Sequence, residues 1–384
     1  MTRLRDRILR LIETTGPLGV DAYMALCLFD PEDGYYTTRE PFGAEGDFTT
    51  APEVSQMFGE LVAIWLYAAW KAAEAPADAL FAEIGPGRGT LMKDMLRTFA
   101  RLAPSLVEAH RFAMVETSPR LAAVQRKTLE GAEASPDWFL NVEELPDGPL
   151  FIVGNELFDA VPIKQYVKVP AGWRERVVGQ TEDGALAFRA GPGALDSLFL
   201  PPDADRAPEG SIFEIAPVRE GLMDVISERL ARRSGAGLFI DYGYEGPALG
   251  ETLQAVRRHR YEDVLESPGE ADLTAHVDFS ALRKVAQGHG LSTRLMHQGD
   301  FLLGLGLLER AGRLGAGRSA EEQQRIQMDV ERLAGPQEMG TLFKAMAILP
   351  AGVEVPPFGT GGWKAAPVRI DIPPFPAPRS ALQN

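Results

Sequence analysis

The sequence has 384 residues, 45% of them hydrophobic, and its 39 lysines and arginines are outnumbered by 54 aspartates and glutamates, which gives a formal net charge of -15. This acidity argues against a nucleic-acid partner, because nucleic-acid-binding proteins present a basic face to the phosphates. The single cysteine, Cys27, excludes an intrachain disulfide and a cysteine-rich zinc site, and the five histidines show no ligand spacing, so we expect no metal.

The first residues are rich in arginine, but they include Asp6 and no serine up to Ile12, so they do not match a transit peptide. We therefore expect a cytoplasmic location. The most apolar helix candidate, Leu61 to Trp70, is too short to cross a bilayer, so no membrane span is expected.

A short apolar strand over residues 79–84 leads into a glycine-rich turn. Glu83 stands directly before three alternating glycines, Gly85, Gly87 and Gly89, which let a ligand approach the backbone. Dinucleotide-binding loops usually have the pattern G-x-G-x-x-G and face a pyrophosphate. A carboxylate before the loop repels a pyrophosphate but can receive an ammonium group. The turn therefore favours S-adenosylmethionine as cofactor, while a glycine-rich turn without a ligand and a nicotinamide dehydrogenase remain alternatives.

The next two predicted strands end in further candidate cofactor contacts. Glu116 ends the strand at 112–116 and is placed to accept both ribose hydroxyls, although a lone glutamate there is also explained as a solvated strand end. Asn141 and Val142 follow the strand at 137–140 and are placed to meet the adenine. Their assignment rests on position alone.

The alternation of strands and helices predicts an α/β fold with a doubly wound sheet, an N-terminal helical segment, a β insertion and a helical insertion. We expect residues 245–273 to form a loop over the sheet and 301–334 to form an exposed or lid-like helical pair. The predicted divisions are an N-terminal helical segment with a cofactor and substrate loop at 1–75, the first part of the core at 76–160, the β insertion at 161–214, the continued core at 215–245, the loop and helical insertion at 246–340, and the last strand with a C-terminal tail at 341–384.

Three further clusters, at residues 46–60, 154–162 and 271–279, together with the glycine turn, resemble the MidA-like family of methyltransferases. The resemblance covers nearly the whole chain and implies a class I methyltransferase fold with a Rossmann-like sheet. It implies S-adenosylmethionine as methyl donor and, because the family's mitochondrial member is an assembly factor of respiratory complex I, symmetric dimethylation of an arginine on the large quinone-site subunit. A methyltransferase with a small-molecule acceptor and a chaperone that binds the cofactor without methylating are the alternatives. The sequence leaves a homo-oligomer open.

The cluster after the fourth strand carries the candidate catalytic residues. Asn155 and Glu156 lie at the carboxyl edge of the predicted sheet, where open α/β folds bind ligands. A guanidinium is a poor nucleophile, so a carboxylate that orients it and accepts a proton would promote methyl transfer. Glu156 is the first candidate, with Asp159 and Asp241 as neighbours. Asp159 is explained equally well as a cap on the following turn.

The cluster at 46–60 is unusually polar ahead of an apolar helix. Helix capping by Thr50 or Ser55 accounts for only one or two of its polar residues. We expect the loop to close over the cofactor or the arginine channel, with the cofactor-binding candidates Asp47, Thr49, Thr50 and Gln56. In the third cluster His276 is a candidate base, but a structural role is the favoured interpretation.

Overall fold

A computed structural model describes residues 2–39, 49–202 and 204–359. Its strands are β1 (Leu18–Gly19), β2 (Leu80–Ile84), β3 (Arg111–Val115), β4 (Asp137–Phe139), β5 (Leu150–Asn155), β6 (Lys164–Val169), β7 (Gly172–Gln180), β8 (Leu186–Ala194), β9 (Ile212–Ile215), β10 (Ala236–Tyr244), β11 (Gln254–Arg257), β12 (Arg260–Glu262), β13 (Asp272–Thr274), β14 (Val277–Asp278), β15 (Ser292–His297) and β16 (Phe343–Leu349).

The α-helices of these ranges are α1 (Arg3–Thr15), α2 (Val20–Phe29), α3 (Tyr35–Thr38), α4 (Ala51–Val54), α5 (Gln56–Ala72), α6 (Thr90–Leu102), α7 (Pro104–Ala109), α8 (Pro119–Thr128), α9 (Pro217–Arg232), α10 (Phe279–Gly288), α11 (Gln298–Gly304), α12 (Leu307–Gly315), α13 (Ala320–Ala334) and α14 (Met339–Leu342). None of the helices in the described ranges is long and apolar enough to cross a membrane.

The central sheet has the strand order β15-β16-β10-β5-β2-β3-β4, with the short β14 beside β10. The five strands from β4 to β10 are parallel, and β16 runs antiparallel to both of its neighbours. The chain proceeds from β2 to β3 and β4 on one side and then to β5 and β10 on the other. The strand order therefore reverses between β2 and β5, which is where open α/β sheets bind their ligands.

Helices cover both faces of this sheet, so its strands are continuous apolar runs. On one face Phe81 of β2 packs with Trp65 of α5 and Phe99 of α6 in one buried cluster. On the other face Ala82 of β2 packs with Ile226 of α9 in a second cluster. Burial on both faces is what made these strands recognisable in the sequence.

The N-terminal helices pack on a second, antiparallel sheet in the order β1-β7-β6-β9, with β8 beside β7. Leu4, Ile8 and Ile12 form the buried stripe of α1, at the four-residue spacing of an amphipathic helix. The predicted loop over 245–273 is wrong, because β11, β12 and β13 form a small third sheet there. Strands of three or four residues with mixed polarity carry too little periodicity to be recognised.

The predicted helical pair over 301–334 is a set of three helices, α11 to α13, and the short α14 follows them. The inner face of the set is not exposed, because Phe301, Leu302, Leu307 and Leu333 are buried against the α5 side of the core. Arg310 of α12 also donates from Nη2 to Oε1 of Glu60 in α5, at 3.0 Å. These helices are therefore packed onto the body of the protein.

Candidate active site

A cavity of about 1670 Å³ lies at the carboxyl ends of β2, β3 and β5. Residues from the glycine turn, the strand ends, α2, the small third sheet and α13 line it. Of the predicted site residues, those that line it are Thr49, Thr50, Gly85, Gly87, Glu116, Asn141, Val142, Glu156 and Asp159. Asp47 lies outside the described residues.

The glycine turn has the backbone that its sequence requires. Gly85, Gly87 and Gly89 have φ values of 65°, 51° and 81°, in the left-handed region that glycine adopts most easily. Gly85 and Gly87 line the cavity. Gly89 instead precedes α6 and faces Gln125, and a Cβ added at Gly89 would lie 3.5 Å from that residue. The turn therefore presents bare backbone to the cavity at two of its three glycines.

Glu83 is 3% exposed and does not line the cavity among the described residues. Its carboxylate accepts a hydrogen bond from the backbone N–H of Met92 in α6, and burial raises its pKa well above the usual value. Its Oε2 atom has no hydrogen-bond partner among the described residues. A buried carboxylate oxygen without a donor is costly, so Glu83 fits the expected acceptor for a cofactor ammonium group.

Glu116 lines the cavity and is held by two donors. Its Oε1 accepts from the backbone N–H of Ser118 at 2.7 Å and its Oε2 accepts from Nε2 of Gln125 at 2.9 Å. The backbone N–H of Thr117 is a further donor, and because a carboxylate has about four acceptor positions, Glu116 keeps acceptor capacity for a ribose hydroxyl. Burial raises the pKa of Glu116. The predicted ribose contact therefore fits the geometry and stays a prediction.

Sequence reasoning missed Gln125. This fully buried side chain also donates to the carbonyl oxygen of Gly87 and accepts from the indole N–H of Trp138, both at 2.9 Å. It thereby links the glycine turn to Glu116. The signal in the sequence was an amide four residues after Leu121 on the buried face of α8, where an apolar residue is expected.

The predicted adenine contacts occupy one corner of the cavity. Val142 is buried and lines it. The side chain of Asn141 exchanges hydrogen bonds with Glu144, accepting from its backbone N–H and donating to its carboxylate, both at 3.0 Å. Asn141 therefore caps the short 3-10 helix at Val142–Glu144, and its contact with adenine stays a prediction.

Glu156 follows β5 and lines the cavity. Its φ is 50°, an uncommon left-handed conformation for a residue with a side chain, and such strain is concentrated at functional sites. Oε1 accepts hydrogen bonds from the backbone N–H of Ala51 at 3.3 Å and from Nδ2 of Asn155 at 3.0 Å. Burial, together with the nearby charge of Asp159, raises the pKa of Glu156 to about 7. Asn155 does not line the cavity, and its link to the site is the hydrogen bond that it donates to Glu156.

Asp159 also lines the cavity, and each of its carboxylate oxygens accepts a hydrogen bond. Its Oδ2 accepts from the hydroxyl of Tyr242 at 2.7 Å, and its Oδ1 accepts from the backbone N–H of Ala160 at 2.8 Å. The second bond is the local turn contact expected of a capping residue. Asp241 does not line the cavity; its Oδ2 accepts from the backbone N–H groups of Phe158 and Asp159 and so shapes the loop after β5.

The buried Arg219 holds this loop against the segment after β13. Its guanidinium donates to the carbonyl oxygens of Asp159, Val161, Ala275 and His276. His276 does not line the cavity, its ring packs edge-on against Tyr242, and burial lowers its pKa to about 4. These contacts favour the structural interpretation of His276.

Sequence reasoning also missed a tyrosine–carboxylate pair in the cavity. The hydroxyl of Tyr36 donates to Oδ1 of Asp272 in β13 at 3.0 Å, and both residues line the cavity. Burial raises the pKa of Tyr36, and the charges of Asp272 and Asp159 add to this effect. Asp272 lies in the cluster at 271–279, but only His276 in that cluster was considered as a site residue.

The segment after residue 48 connects several parts of the site. Glu53 in α4 accepts from the hydroxyl of Thr90 at 2.5 Å and lies 3.8 Å from the guanidinium of Arg88 in the glycine turn. Gln56 starts α5, donates to Glu60 and does not line the cavity. Ser55 caps α5 by accepting from the backbone N–H of Met57. Among the described residues there is no group of three or more metal-ligating side chains suited to a metal ion.

The strand order with its antiparallel β16, the glycine turn after β2 and the acidic residue after β3 together define a class I S-adenosylmethionine-dependent methyltransferase. A family model described as "Putative S-adenosyl-L-methionine-dependent methyltransferase" matches residues 61–296. The chain belongs to this methyltransferase family, and its cofactor is S-adenosylmethionine. The predicted fold and cofactor are confirmed.

Two curated relatives, from Rattus norvegicus and Homo sapiens, are each named "Protein arginine methyltransferase NDUFAF7, mitochondrial". Both are 34% identical to this chain over 91% of its length, and the matches cover 85% and 84% of those proteins. A "likely methyl transferase" from Burkholderia thailandensis, solved with bound S-adenosyl-homocysteine, aligns with a TM-score of 0.79 and 29% identity, covering 91% of this chain and 92% of that one.

The predicted cytoplasmic location is contradicted by these relatives, because they are named mitochondrial. The prediction relied on the pattern of the first twelve residues. Residues 3–12 belong to α1, in which Leu4, Ile8 and Ile12 are buried and Arg3 and Arg10 are exposed. Their composition therefore reflects how a core helix packs and is a poor indicator of location.

Proposed function

We propose that this protein is a protein arginine N-methyltransferase. The observation that carries the proposal is that three carboxylates, Glu156, Asp159 and Asp272, line the same cavity as the glycine turn. Carboxylates bind a guanidinium by charge-assisted hydrogen bonds, and their planar geometry matches its donors. The names of the curated relatives support the same acceptor.

Glu156 is the residue to which we assign the guanidinium. Both of its observed bonds fall on Oε1, so Oε2 is the oxygen that can orient a substrate N–H and take a proton from it. With a pKa of about 7, the carboxyl is available in its ionised form at neutral pH and can also hold a proton. Asn155 and Ala51 fix its orientation.

Asp159 and Asp272 provide the remaining negative charge of this subsite. The hydroxyls of Tyr242 and Tyr36 orient them, and Arg219 holds the loop that carries Asp159. S-adenosylmethionine, when bound, supplies an electrophilic methyl group, and the candidates to hold it are Glu83, Gly85, Gly87 and Glu116. The chain's own contribution is then to position the acceptor and to remove its proton.

The finer proposal is that the acceptor is an arginine on the large quinone-site subunit of respiratory complex I, dimethylated symmetrically in support of assembly. The resemblance of the clusters at 46–60, 154–162 and 271–279 to the MidA-like family supports it. Mass spectrometry of that subunit, from cells with and without this protein, tests it. A symmetric dimethylarginine that persists without the protein would refute this acceptor.

The arginine acceptor itself is tested with methyl-labelled S-adenosylmethionine and cell extract. We expect label in one protein band and methylarginine after acid hydrolysis. Label confined to small molecules would identify a different methyltransferase. If Glu156→Gln abolished labelling but still supported complex I assembly, the protein would serve assembly as a cofactor-binding chaperone.

A further inference from the structure

We propose that the mouth of the cavity selects arginines whose neighbours in the substrate are apolar. This inference rests on the proposed arginine acceptor and adds the sequence context of the target. The mouth is defined here by four partly exposed side chains that line the cavity, namely Phe29, Val218, Tyr261 and Met328.

These side chains are unusually exposed for large apolar groups. Phe29 is 42% exposed, Val218 52%, Tyr261 41% and Met328 59%. Single exposed hydrophobic residues are common on protein surfaces and need no explanation, but several around one opening mark a binding site. They come from α2, α9, β12 and α13, so four separate parts of the chain bring apolar groups to the same cavity.

A ring contact and two neighbours along the chain relate the mouth to the carboxylates of the acceptor site. The ring of Phe29 stacks on that of Tyr36, with centroids 5.8 Å apart, and Tyr36 donates to Asp272. Val218 directly precedes Arg219, which holds the carbonyl oxygen of Asp159. On α13, Met328 is one turn from Arg332, which contributes to the charge around Glu156. Leu140 also lines the cavity, but it adjoins Asn141 on the predicted adenine side, so it is not counted as part of the mouth.

The arrangement is an apolar opening above an acidic interior. A guanidinium complements the carboxylates inside, while apolar residues on either side of the arginine would cover the exposed groups of the mouth. The cavity volume of about 1670 Å³ exceeds the roughly 300 to 1,000 Å³ of typical small-ligand pockets, which leaves room for a cofactor together with a polypeptide segment. Glycine neighbours would leave the mouth in water, so they should bind less tightly.

The test compares two peptides of equal length and charge, one with leucine and valine on either side of a single arginine and one with glycine at those positions. The full-length protein is used with S-adenosylmethionine, and kcat/KM is measured for each peptide. We expect the apolar peptide to be preferred by about tenfold, as follows from partial burial of one or two side chains.

Two pairs of variants test whether the preference for the apolar peptide depends on the mouth. Phe29→Ser and Met328→Gln should each reduce it severalfold. Phe199→Ser and Leu308→Gln are the matched controls, because Phe199 is 66% and Leu308 59% exposed but neither lines this cavity. The controls should leave the preference unchanged. Affinity for S-adenosylhomocysteine should stay constant in all four, since none of the four residues is an assigned cofactor residue.

Different failures refute different claims. Equal kcat/KM for the two peptides, or a preference that Phe29→Ser and Met328→Gln leave intact, would overturn the inference while the arginine acceptor stands. Transfer to neither peptide, with S-adenosylhomocysteine still bound, would overturn the proposed function as well. Binding to phosphatidylcholine vesicles that is lost in Phe29→Ser and Met328→Gln would show that the mouth meets a membrane surface instead of a substrate chain.

Discussion

The backbone N–H of Ala51 donates a hydrogen bond to Oε1 of Glu156 at 3.3 Å, across 105 positions of the sequence. This contact joins the first residue of α4 to the acid that follows the fourth parallel strand. Since α4 also carries Glu53, which accepts from Thr90 after the glycine turn, one short helix contacts both the predicted catalytic acid and the cofactor loop. The position of α4 therefore affects both halves of the site.

Replacing Glu156 with glutamine should reduce kcat by about a hundredfold or more, because a positioned proton acceptor contributes roughly 10² to 10⁴ to a rate. Binding of S-adenosylhomocysteine, measured by calorimetry, should change little, since the assigned cofactor residues are untouched. Glu143→Gln is the matched control, because Glu143 is exposed and lines the same cavity. A Glu156→Gln variant with the wild-type rate would remove Glu156 from the mechanism.

The raised pKa of Glu156 makes a prediction about stability. Its pKa is about 7 in the folded protein and 4.5 when unperturbed, so between these values the folded state binds more protons than the unfolded state. The stabilising contribution of this group is therefore present below pH 4.5 and is lost as the pH rises through 7. The quantity to compare is the unfolding free energy of Glu156→Gln minus that of the wild type. We expect this difference to be about 2 kcal/mol higher at about pH 8 than at about pH 5.

Urea unfolding of both proteins at the two pH values measures this difference. Burial also raises the pKa values of Asp159 and Asp241, and the comparison between variant and wild type removes that shared contribution, so the difference reports Glu156 together with its charge interactions with these two carboxyls. A stability difference that is the same at both pH values would mean that Glu156 titrates normally.

The bond between Glu53 and Thr90 should couple α4 to cofactor binding. A hydrogen bond to a charged group contributes about 1.5 to 3 kcal/mol, so Glu53→Ala and Thr90→Val, which each remove one partner of this bond, should each weaken S-adenosylhomocysteine binding severalfold or more. Because both variants remove this contact, the double variant should lose less affinity than the sum of the two single losses. Calorimetric affinities of the wild type, the two single variants and the double variant complete this double-mutant cycle. Additive losses would show that the two residues act separately.

The central sheet was predictable because its strands are buried on both faces. A run such as Leu80 to Ile84 is buried throughout and is followed by glycines, so both the strand and its end are visible in the sequence. The third sheet was not predictable, since β12 has only three residues and Arg260 and Tyr261 are exposed. Its position is determined by pairing with β11 and, through it, β13, which local sequence does not encode.

The candidate site was likewise predictable from the sequence only in part. Glu116 and Glu156 were identified because each directly follows a recognisable strand. Gln125 was missed because its role depends on Gly87, which is 38 positions away, and Asp272 was missed because its partner Tyr36 is 236 positions away. Such pairings are products of the tertiary fold: helical spacing can indicate that Gln125 is buried on α8, but it does not reveal which residues Gln125 or Asp272 contacts.

Gly87 allows the cofactor loop to be tested without disturbing the fold. A valine there would project into the cavity, but with φ at 51° a β-branched residue would also strain the turn, so its effect would be ambiguous. Asparagine tolerates the left-handed conformation, and Gly87→Asn should therefore stay folded while its side chain occupies ligand space. We expect at least about a tenfold loss of S-adenosylhomocysteine affinity, equivalent to about 1.4 kcal/mol.

The control for this substitution is Gly131→Asn. Gly131 has a φ of 74°, and a Cβ there would meet nothing within 4 Å. Both variants should show thermal midpoints near that of the wild type, so a difference in affinity reports the ligand site and not the backbone. If Gly87→Asn bound S-adenosylhomocysteine as tightly as Gly131→Asn, the turn after β2 would not hold the cofactor, and the roles assigned to Gly85 and Glu116 would have to be withdrawn with it.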